Sequence, residues 1–450
     1  MKGKLLKYLL LMVGLVGSAP ISAAYDEEFW DYMYRIEITT ENGELPFALD
    51  KERPDGQPGH TITNNEYVNG QFKLFKGKDS LCLDSGERGM KFRVRGNTSG
   101  LSTRPPYKVK FEKKCDPLNL GYKDKEWNLM NTTKGVLNFA IGRFIGELVG
   151  MEWQPDFIFA HLFINGEYRG LYMLTESIKK DKHRVNVSDD GYITENDIYY
   201  WGEEVYFKTL RQRKTFGYTF KYPKDEDLND SVVSVLRNEM VRYEDAIFNF
   251  SNLSDIADVK SLAGWYLAHD LLGTGDALGA NMYAYRYSVK DDSKIKFGPL
   301  WDFDTIFEEE GWARQRKRDI WYSVTLSQHP EFNTAYRDLW HKIEPTFYED
   351  VCLYLDSIAE EGKYLNESFI YASPEGQNLY EAIDFAKEWF RKKIDFVNSE
   401  VDSLIFMERI EYFTLDGTKV DFNETTQKGL YVRITTDNKS HHTGKLMYVR

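Results

Sequence analysis

"GDALGAN", residues Gly275–Asn281, places an aspartate five positions before an asparagine, and "PLWDFD", residues Pro299–Asp304, follows about twenty residues later. Asp and Asn are common turn residues, so each stretch alone is typical of the turns that bound a hairpin. Together, however, Asp276, Asn281 and Asp302 provide carboxylate and amide oxygens, which are ligands that Mg²⁺ accepts in proteins. Two interpretations follow, a pair of ordinary turns or a site for phosphate and metal.

Phosphoryl transfer requires a cation on the nucleotide phosphates, oxygen ligands for a metal and a carboxylate that orients the attacking hydroxyl. In protein kinases the catalytic aspartate precedes the metal-binding asparagine by five positions, and a D-F-G aspartate follows. This chain has the same order, with WDFD in the place of D-F-G. An extended WDFD segment would point Asp302 and Asp304 to one side, which also suits the paired carboxylates of a glycosidase. A carbohydrate-active or carbohydrate-binding protein is therefore an alternative.

The N-terminal part offers candidate groups for the phosphates. In YKVKF, Lys108 and Lys110 lie two residues apart and share one face of a predicted strand. Glu176 ends the apolar segment GLYMLTE and could orient a buried lysine, as the Lys–Glu pair of a kinase does. Arg95 precedes a turn rich in backbone N–H donors, RGNTSG, which suits phosphate and equally an ordinary tight turn. These residues strengthen the phosphoryl-transfer interpretation.

The apolar periodicity predicts an α+β fold in three parts. Residues 25–221 are predicted to form strands, one helix and a hairpin around NGE. Residues 222–405 are predicted to be mainly helical, with a hairpin that turns at DDSK. Residues 406–450 return to strands and form a small β module. The length left after residue 24 exceeds what a single core usually holds, so we expect two lobes and an appendage.

Residues 1–24 have the pattern of an export signal. Three lysines precede an apolar run, and small residues end the segment at ISAA. The apolar run is too short for a convincing membrane span. We therefore expect an exported protein, in the periplasm, on the cell surface or outside the cell, with no integral span once the signal is removed.

The charge and the cysteines restrict the possible partners. Removing the signal shifts the formal net charge from −13 to −16, which argues against nucleic acid as a partner. Three cysteines are too few for a disulfide scaffold, although Cys82 and Cys115 could pair in an oxidising compartment. No Cys/His spacing is typical of a zinc site.

Four motifs in order resemble the CotH-like (spore coat protein H) family of atypical secreted protein kinases. RGNTSGLSTRPPYKVKF resembles the family's R-G-N-S/T-S stretch and basic strand, and LFINGEYRGLYMLTESI resembles its G-x-Y-x-G-x-Y-x-L-x-E segment. DALGANMYAYRY is similar to its D-x₄-N-x-Y stretch, and GPLWDFDTIF to its P-W-D-x-D. The motifs extend from about Ile36 to Arg391. Each motif alone is unspecific, but four in order are a strong resemblance.

The resemblance implies a two-lobed, kinase-like fold that binds ATP with Mg²⁺ or Mn²⁺ and phosphorylates hydroxyls of a secreted or surface protein. Carried over by position, Asp276 is the expected catalytic residue, and Asn281 and Asp302 are the expected metal ligands. Asp304 is a possible second metal contact. Lys110 matches the family's K-F position, so it is expected on the phosphates with Glu176 holding it, whereas Lys108 is expected to be solvent-exposed.

The chain departs from the family in the first helix, where NTTKGVLNFA replaces an expected D-x-S-x-x-R-N. No G-x-G-x-x-G loop precedes the lysine strand either. A catalytically inactive kinase fold with a role in binding or surface assembly is therefore a further alternative. The tail resembles C-terminal β modules of exported Bacteroidetes proteins, some of which are sorting signals.

Overall fold

The computed structural model describes residues 33–56, 58–63, 65–77, 79–132, 136–212, 215–275, 281–308, 322–360, 378–404, 407–420, 428–437 and 442–449. The expected export signal at residues 1–24 and the expected catalytic residue Asp276 lie outside the described residues. Within the described residues, no helix combines the length and the apolar character that a membrane crossing needs.

The N-terminal region is rich in β-structure. Its first ten strands in the described part are β1 Tyr34–Thr40, β2 Leu49–Glu52, β3 His60–Thr63, β4 Val68–Lys76, β5 Ser80–Asp84, β6 Met90–Val94, β7 Tyr107–Cys115, β8 Asp124–Asn131, β9 Phe157–Ile164 and β10 Glu167–Glu176. Eight of them form a sheet in the order β1-β9-β10-β8-β7-β6-β4-β5, and β1 pairs with β4 as well. The second pairing closes seven strands into a barrel, while β2 and β3 form a separate hairpin.

The barrel closes because its strands alternate inward and outward side chains. Every second residue points to one face of a strand, so a strand with apolar residues at alternate positions can fill an enclosed core. All seven closing strands contribute fully buried side chains to the barrel interior, including Ile36, Phe72, Phe92, Val109, Trp127, Leu162 and Leu174. The outward-facing side chains of the barrel strands therefore contact a second core or line a cleft.

The predicted hairpin and first helix are confirmed. β9 and β10 pair antiparallel around Asn165 and Gly166, whose φ angles of 53° and 80° suit a two-residue hairpin loop. Helix α1, Val136–Leu148, ends just before Gly150, which adopts a φ of 81°. Gly at such a position ends a helix without the steric penalty of a Cβ atom.

A second sheet lies beyond the barrel. Its strands are β11 Tyr192–Asp197, β12 Gly217–Tyr222, β13 Met282–Arg286 and β14 Lys296–Phe297, in the order β12-β11-β13-β14. β13 and β14 form the hairpin predicted at DDSK. The sheet includes strands from both sides of the boundary expected at 221–222.

Helices form most of the remaining described chain: α2 Asp230–Phe248, α3 Val259–Leu272, α4 Ser323–Leu326, α5 Pro330–Glu360 and α6 Leu379–Val401. The side chain of Asn229 caps α2, and that of Asp258 caps α3. Every residue of α3 from Leu262 to Leu272 is buried, which places this helix at the centre of the second core. The fold is therefore mixed α+β with a β-rich N-terminal region, as expected.

The C-terminal strands form their own sheet in the order β16-β15-β17-β18. Their bounds are β15 Met407–Thr414, β16 Lys419–Val420, β17 Gly429–Asp437 and β18 His442–Val449. Arg433 on β17 lies 3.6 Å from the Glu331 carboxylate at the start of α5. The cysteines Cys82, Cys115 and Cys352, all within the described residues, are unbridged.

Candidate functional site

The WDFD segment is held against helix α1. The side-chain amide of Asn138 donates a hydrogen bond to the backbone oxygen of Phe303 at 3.1 Å. Phe139 packs edge-on against Trp301 and Phe303, with ring centroids 5.8 and 5.4 Å away. A Cβ atom at Gly142 would lie 2.2 Å from the Phe303 ring, so only glycine permits this approach. Helix α1 therefore fixes the backbone from which Asp302 projects.

Asn281 and Asp302 come together as the sequence predicts. The Asn281 amide nitrogen lies 3.1 Å from Oδ2 of Asp302 and donates a hydrogen bond to it. Both residues adopt the left-handed conformation, with φ of 61° and 63°. This conformation is uncommon outside glycine, and it is enriched at sites where neighbouring structure enforces it.

The segment that leads to Asp276 is tied to the same loop. The backbone N–H of Gly275 donates to the oxygen of Thr305 at 3.0 Å, and Phe307 and Glu308 donate to Leu272 and Gly273 at the end of α3. The described residues on both sides of the 276–280 gap, Gly275 and Asn281, are therefore joined to the WDFD loop. Asp276 itself lies in the gap.

A cleft opens between the barrel and this loop. The outward-facing barrel residues Met130 and Met173 line one side, and Asn138 of α1 with Asp302 and Asp304 line the other. The two aspartates therefore share one cleft, although Asp302, with a φ of 63°, is not in the extended conformation that the sequence interpretation assumed.

Cationic side chains cover the outer barrel wall beside the cleft. Lys91 lies opposite Lys110, and Arg93 lies opposite Lys108, in the register of β6 with β7. Directly opposed like charges destabilise a sheet unless an anion balances them. One carboxylate, Glu126 on β8, contacts both lysine ammonium groups, at 3.0 Å from Lys108 and 3.4 Å from Lys110.

The pKa values of Glu126 and Lys108 are shifted by burial and by the contact between the two groups. Burial raises the pKa of Glu126, but Lys108, with smaller contributions from Lys179 and Lys110, outweighs it and lowers that pKa to about 2. Burial lowers the pKa of Lys108, and the nearby Arg93 and Arg95 add to the decrease, so that Glu126 compensates only in part. An additional anion beside Lys108 would oppose the decrease of its pKa.

Two expectations about this wall are wrong. Lys108, not Lys110, is the less exposed lysine, with 29% against 39% of its side chain accessible. The carboxylate beside them is Glu126 rather than Glu176. Glu176 lies opposite Trp127, whose side chain fills the barrel interior, so it faces away from the lysines. It is bound instead by Arg184 at 3.0 Å and by the Tyr122 hydroxyl.

Arg95 connects the barrel wall to the loop and to the second sheet. Its guanidinium lies over the Trp301 ring, 5.7 Å from the centroid. Burial lowers the pKa of Arg95, while the Tyr283 phenol and the carboxylates of Asp302 and Glu195 oppose the decrease. The residue expected at a phosphate-binding turn therefore lies within electrostatic range of an expected metal ligand.

The second sheet presents a mixed acidic and basic surface to the same region. Glu195 and Asp197 share one face of β11, and Tyr283 of β13 lies opposite Glu195. The Lys221 ammonium, from β12, contacts the Glu195 carboxylate at 2.8 Å. Burial and the Glu195 charge raise the pKa of Asp197. Burial and Glu195 also raise the pKa of Tyr283, and Lys221 and Arg95 oppose that increase.

The oxygen donors near Asp302 fit a hard divalent cation. Mg²⁺ keeps several waters and needs only one or two protein oxygens together with substrate phosphates. Asp302 and Asn281 provide a carboxylate and an amide at hydrogen-bond distance from each other. Among the described residues, no group of three or more His, Cys, Asp or Glu side chains is placed to hold a metal by itself. Asp302 and Asn281 are therefore residues that could hold such a cation.

Several residues of this site were not identified from the sequence: Glu126, Asn138, Glu195, Asp197 and Lys221. Asn138 had a signal, because it occupies the Asn position of the otherwise unmatched D-x-S-x-x-R-N stretch. No signal in the sequence identified the other four residues, because their contacts depend on which strands become neighbours.

A comparison with known protein families gives one match over most of the site. The family model described as CotH kinase protein matches residues 92–383, which include Arg95, both strand lysines, the Asn281–Asp302 pair and Lys221. No curated protein matches the chain.

Proposed function

Because the chain belongs to the CotH kinase protein family, we propose that this kinase-like protein transfers the γ-phosphoryl group of ATP to hydroxyls of a secreted or surface protein. The observation that carries the proposal is the position of the cation-rich barrel wall beside the Asn281–Asp302 pair. These are the two halves of a phosphoryl-transfer site, one for phosphate and one for metal.

We propose two lobes that meet at this cleft. The barrel with α1 forms the N-terminal lobe, and the second sheet with helices α2 to α6 forms the C-terminal lobe. Because β12 pairs with β11 and β11 pairs with β13, the division falls between Glu176 and Tyr192 rather than at residue 221. The four C-terminal strands are an appendage whose role in sorting is a proposal from sequence alone.

Each side of the cleft has a distinct task in this proposal. Lys108 and Arg95 bind the nucleotide phosphates, with Lys110 at the more open end of the wall. Glu126 keeps the two lysine side chains in place. Asn281 and Asp302 hold Mg²⁺ or Mn²⁺, with Asp304 as a further contact. When bound, the metal neutralises charge on the β- and γ-phosphates.

The transfer step assigns one role to Asp276. Its carboxylate orients the substrate hydroxyl and accepts its proton, while the hydroxyl oxygen forms a bond to the γ-phosphorus. The bond between that phosphorus and the bridging β–γ oxygen breaks, and ADP leaves with the electron pair of the broken bond. The products are a phosphate ester, ADP and one proton, so no further reactant is needed.

The predicted export signal places the substrate among exported or surface proteins. This part of the proposal rests on residues 1–24. Comparing cell fractions for the full chain and for a chain lacking residues 1–24 tests it. Retention of both forms in the cytoplasm would contradict export.

Transfer of labelled phosphate tests the activity. The purified full chain with γ-labelled ATP and Mg²⁺ or Mn²⁺ should phosphorylate itself or a Ser/Thr-rich exported protein. Asp276→Ala should lower transfer by about 10²- to 10⁴-fold, the usual contribution of a general base, and leave nucleotide binding intact. Asp302→Ala should lose metal-dependent nucleotide binding. Nucleotide binding without transfer would identify an inactive kinase fold, and no nucleotide binding with either metal would favour the carbohydrate alternative.

A further inference from the structure

A second lysine–glutamate pair lies in the second sheet. Lys221 is on β12 and Glu195 is on β11, and their charged groups are 2.8 Å apart. Only 6% of the Glu195 side chain is accessible, whereas 32% of the Lys221 side chain is. The carboxylate is therefore enclosed, while part of the Lys221 side chain is accessible.

The pair lies close to the start of β13, which directly follows Asn281. Glu195 lies opposite Tyr283 in the register of β11 with β13. Both groups raise the pKa of Arg95 against the effect of burial. Asp302 raises the pKa of Arg95 as well. The pair, the arginine and the expected metal ligand thus form one connected electrostatic group.

Lys221 keeps hydrogen-bonding capacity for a ligand. An ammonium has three N–H donors. Among the described residues, Glu195 provides the one hydrogen-bonding or ionic contact of the Lys221 ammonium. Burial lowers the pKa of Lys221, but the Glu195 charge outweighs it and raises that pKa, so the group stays cationic.

We infer that Lys221, positioned by Glu195, contacts the nucleotide phosphates from the second sheet, opposite Arg95 and Lys108 of the barrel. The inference rests on the proposed nucleotide-binding function. Glu195 acts through Lys221 and is a positioning residue. Two cationic groups on opposite walls would hold the phosphates more tightly, and in a better-defined orientation, than one wall could.

The same sheet provides a matched control. Lys296 on β14 contacts Glu152 at 2.8 Å and has 38% of its side chain accessible, so its contact distance and its exposure match those of Lys221, although Glu152 is more accessible than Glu195. Lys296 lies on β14, at the opposite edge of the sheet from β12, and Glu195 rather than Glu152 is among the main groups that shift the pKa of Arg95. If the loss of a lysine ion pair has a general effect, it should therefore occur in both Lys221→Met and Lys296→Met. Loss of a phosphate contact should occur in Lys221→Met alone.

Calorimetric titration with ATP·Mg²⁺ and with adenosine distinguishes a phosphate contact from a structural role. For Lys221→Met in the full chain, we expect ATP affinity to fall about 10- to 100-fold, because a hydrogen bond to a charged group is lost. Adenosine affinity should not change, since adenosine has no phosphate. Lys296→Met should change neither affinity, and Lys221→Arg should retain most of the ATP affinity.

A double variant, Lys221→Met with Glu195→Gln, guards against misfolding from an unpaired buried carboxylate. It should show the same selective loss of ATP affinity. Unchanged ATP affinity in the single and double variants, or an equal loss of ATP and adenosine affinity, would overturn the inference while leaving the proposed function in place. A wild-type chain that binds no ATP would overturn the proposed function itself.

Discussion

Two glutamates on neighbouring barrel strands, Glu126 on β8 and Glu176 on β10, have opposite environments. Glu176 and its partner Arg184 are closed off from solvent, with 2% and 0% of their side chains accessible. Glu126 faces outward, beside lysines that remain partly accessible. The pKa values differ accordingly: burial raises the pKa of Glu176 despite Arg184, whereas Lys108 lowers the pKa of Glu126 against the effect of burial.

The difference separates a structural ion pair from a functional one. Arg184 also donates to the backbone oxygens of Glu126 and Ser177 and lies over the Trp127 ring, so its contacts are within the protein. Lys108 has one carboxylate nearby and two arginines that oppose its charge. The first pair stabilises one end of the barrel, and the second is suited to receive an anion.

The largest expected effect is on stability, from Arg184→Met. This change leaves the Glu176 carboxylate buried and unpaired, which costs about 3–5 kcal/mol. The midpoint of thermal unfolding should fall sharply. Arg169→Met, which removes an exposed pair with Glu167 on the same strand, should cost less than about 1 kcal/mol. Equal shifts for the two variants would contradict the structural role of Arg184.

The pH dependence of unfolding should show opposite signs for the two glutamates. The pKa of Glu126 is lowered to about 2 on folding, so its contribution is present above its unfolded pKa and is lost as the pH falls towards 2. This contribution is up to about 3 kcal/mol. The pKa of Glu176 is raised, so its contribution is present at low pH and is lost as the pH rises through the folded value.

Chemical denaturation at pH 2 to 7 measures this difference. Glu126→Gln should make stability fall less steeply with acid than in the wild type, and Glu176→Gln should make it fall more steeply. The same slope in both variants would remove the distinction between the two carboxylates.

A smaller effect is expected on nucleotide binding, from Lys108→Met. Loss of a charged contact to phosphate should lower ATP affinity about 10- to 100-fold. Stability should fall by up to about 3 kcal/mol, because Lys108 is the main group that lowers the pKa of Glu126 and Lys110 contributes less. Calorimetry and thermal unfolding check the two results. A large loss of stability with unchanged ATP affinity would mean that Lys108, like Arg184, has a structural role only.

The smallest effect is expected from Lys110→Met. Its ammonium is farther from Glu126 and more exposed than that of Lys108, so ATP affinity should fall less than about threefold. The same titration measures it. If Lys110→Met weakened ATP binding more than Lys108→Met, the sequence-based choice of Lys110 would be restored.

Local patterns predicted much of the fold. The NGE hairpin, helix α1 and the DDSK hairpin follow from periodicity and turn residues, and the structure confirms each of them. The Asn281–Asp302 contact also agrees with the sequence, because the hairpin brings its two ends together.

The partners of Lys108 could not be predicted, because they depend on pairing between distant strands. β10 is buried from Gly170 to Glu176, so its sequence does not alternate and gives no sign of which face Glu176 occupies. The register with β8 decides that face. Lys221 and Glu195 were missed for a similar reason, since they meet only through β11–β12 pairing.

The most direct test of the central claim is calorimetric titration of the full wild-type chain with ATP, in the presence of Mg²⁺ or Mn²⁺ and again with excess EDTA. We expect binding that depends on the metal, is stronger for ATP than for adenosine, and weakens in Lys108→Met but not in Arg169→Met. Absence of ATP binding with either metal would contradict the central claim.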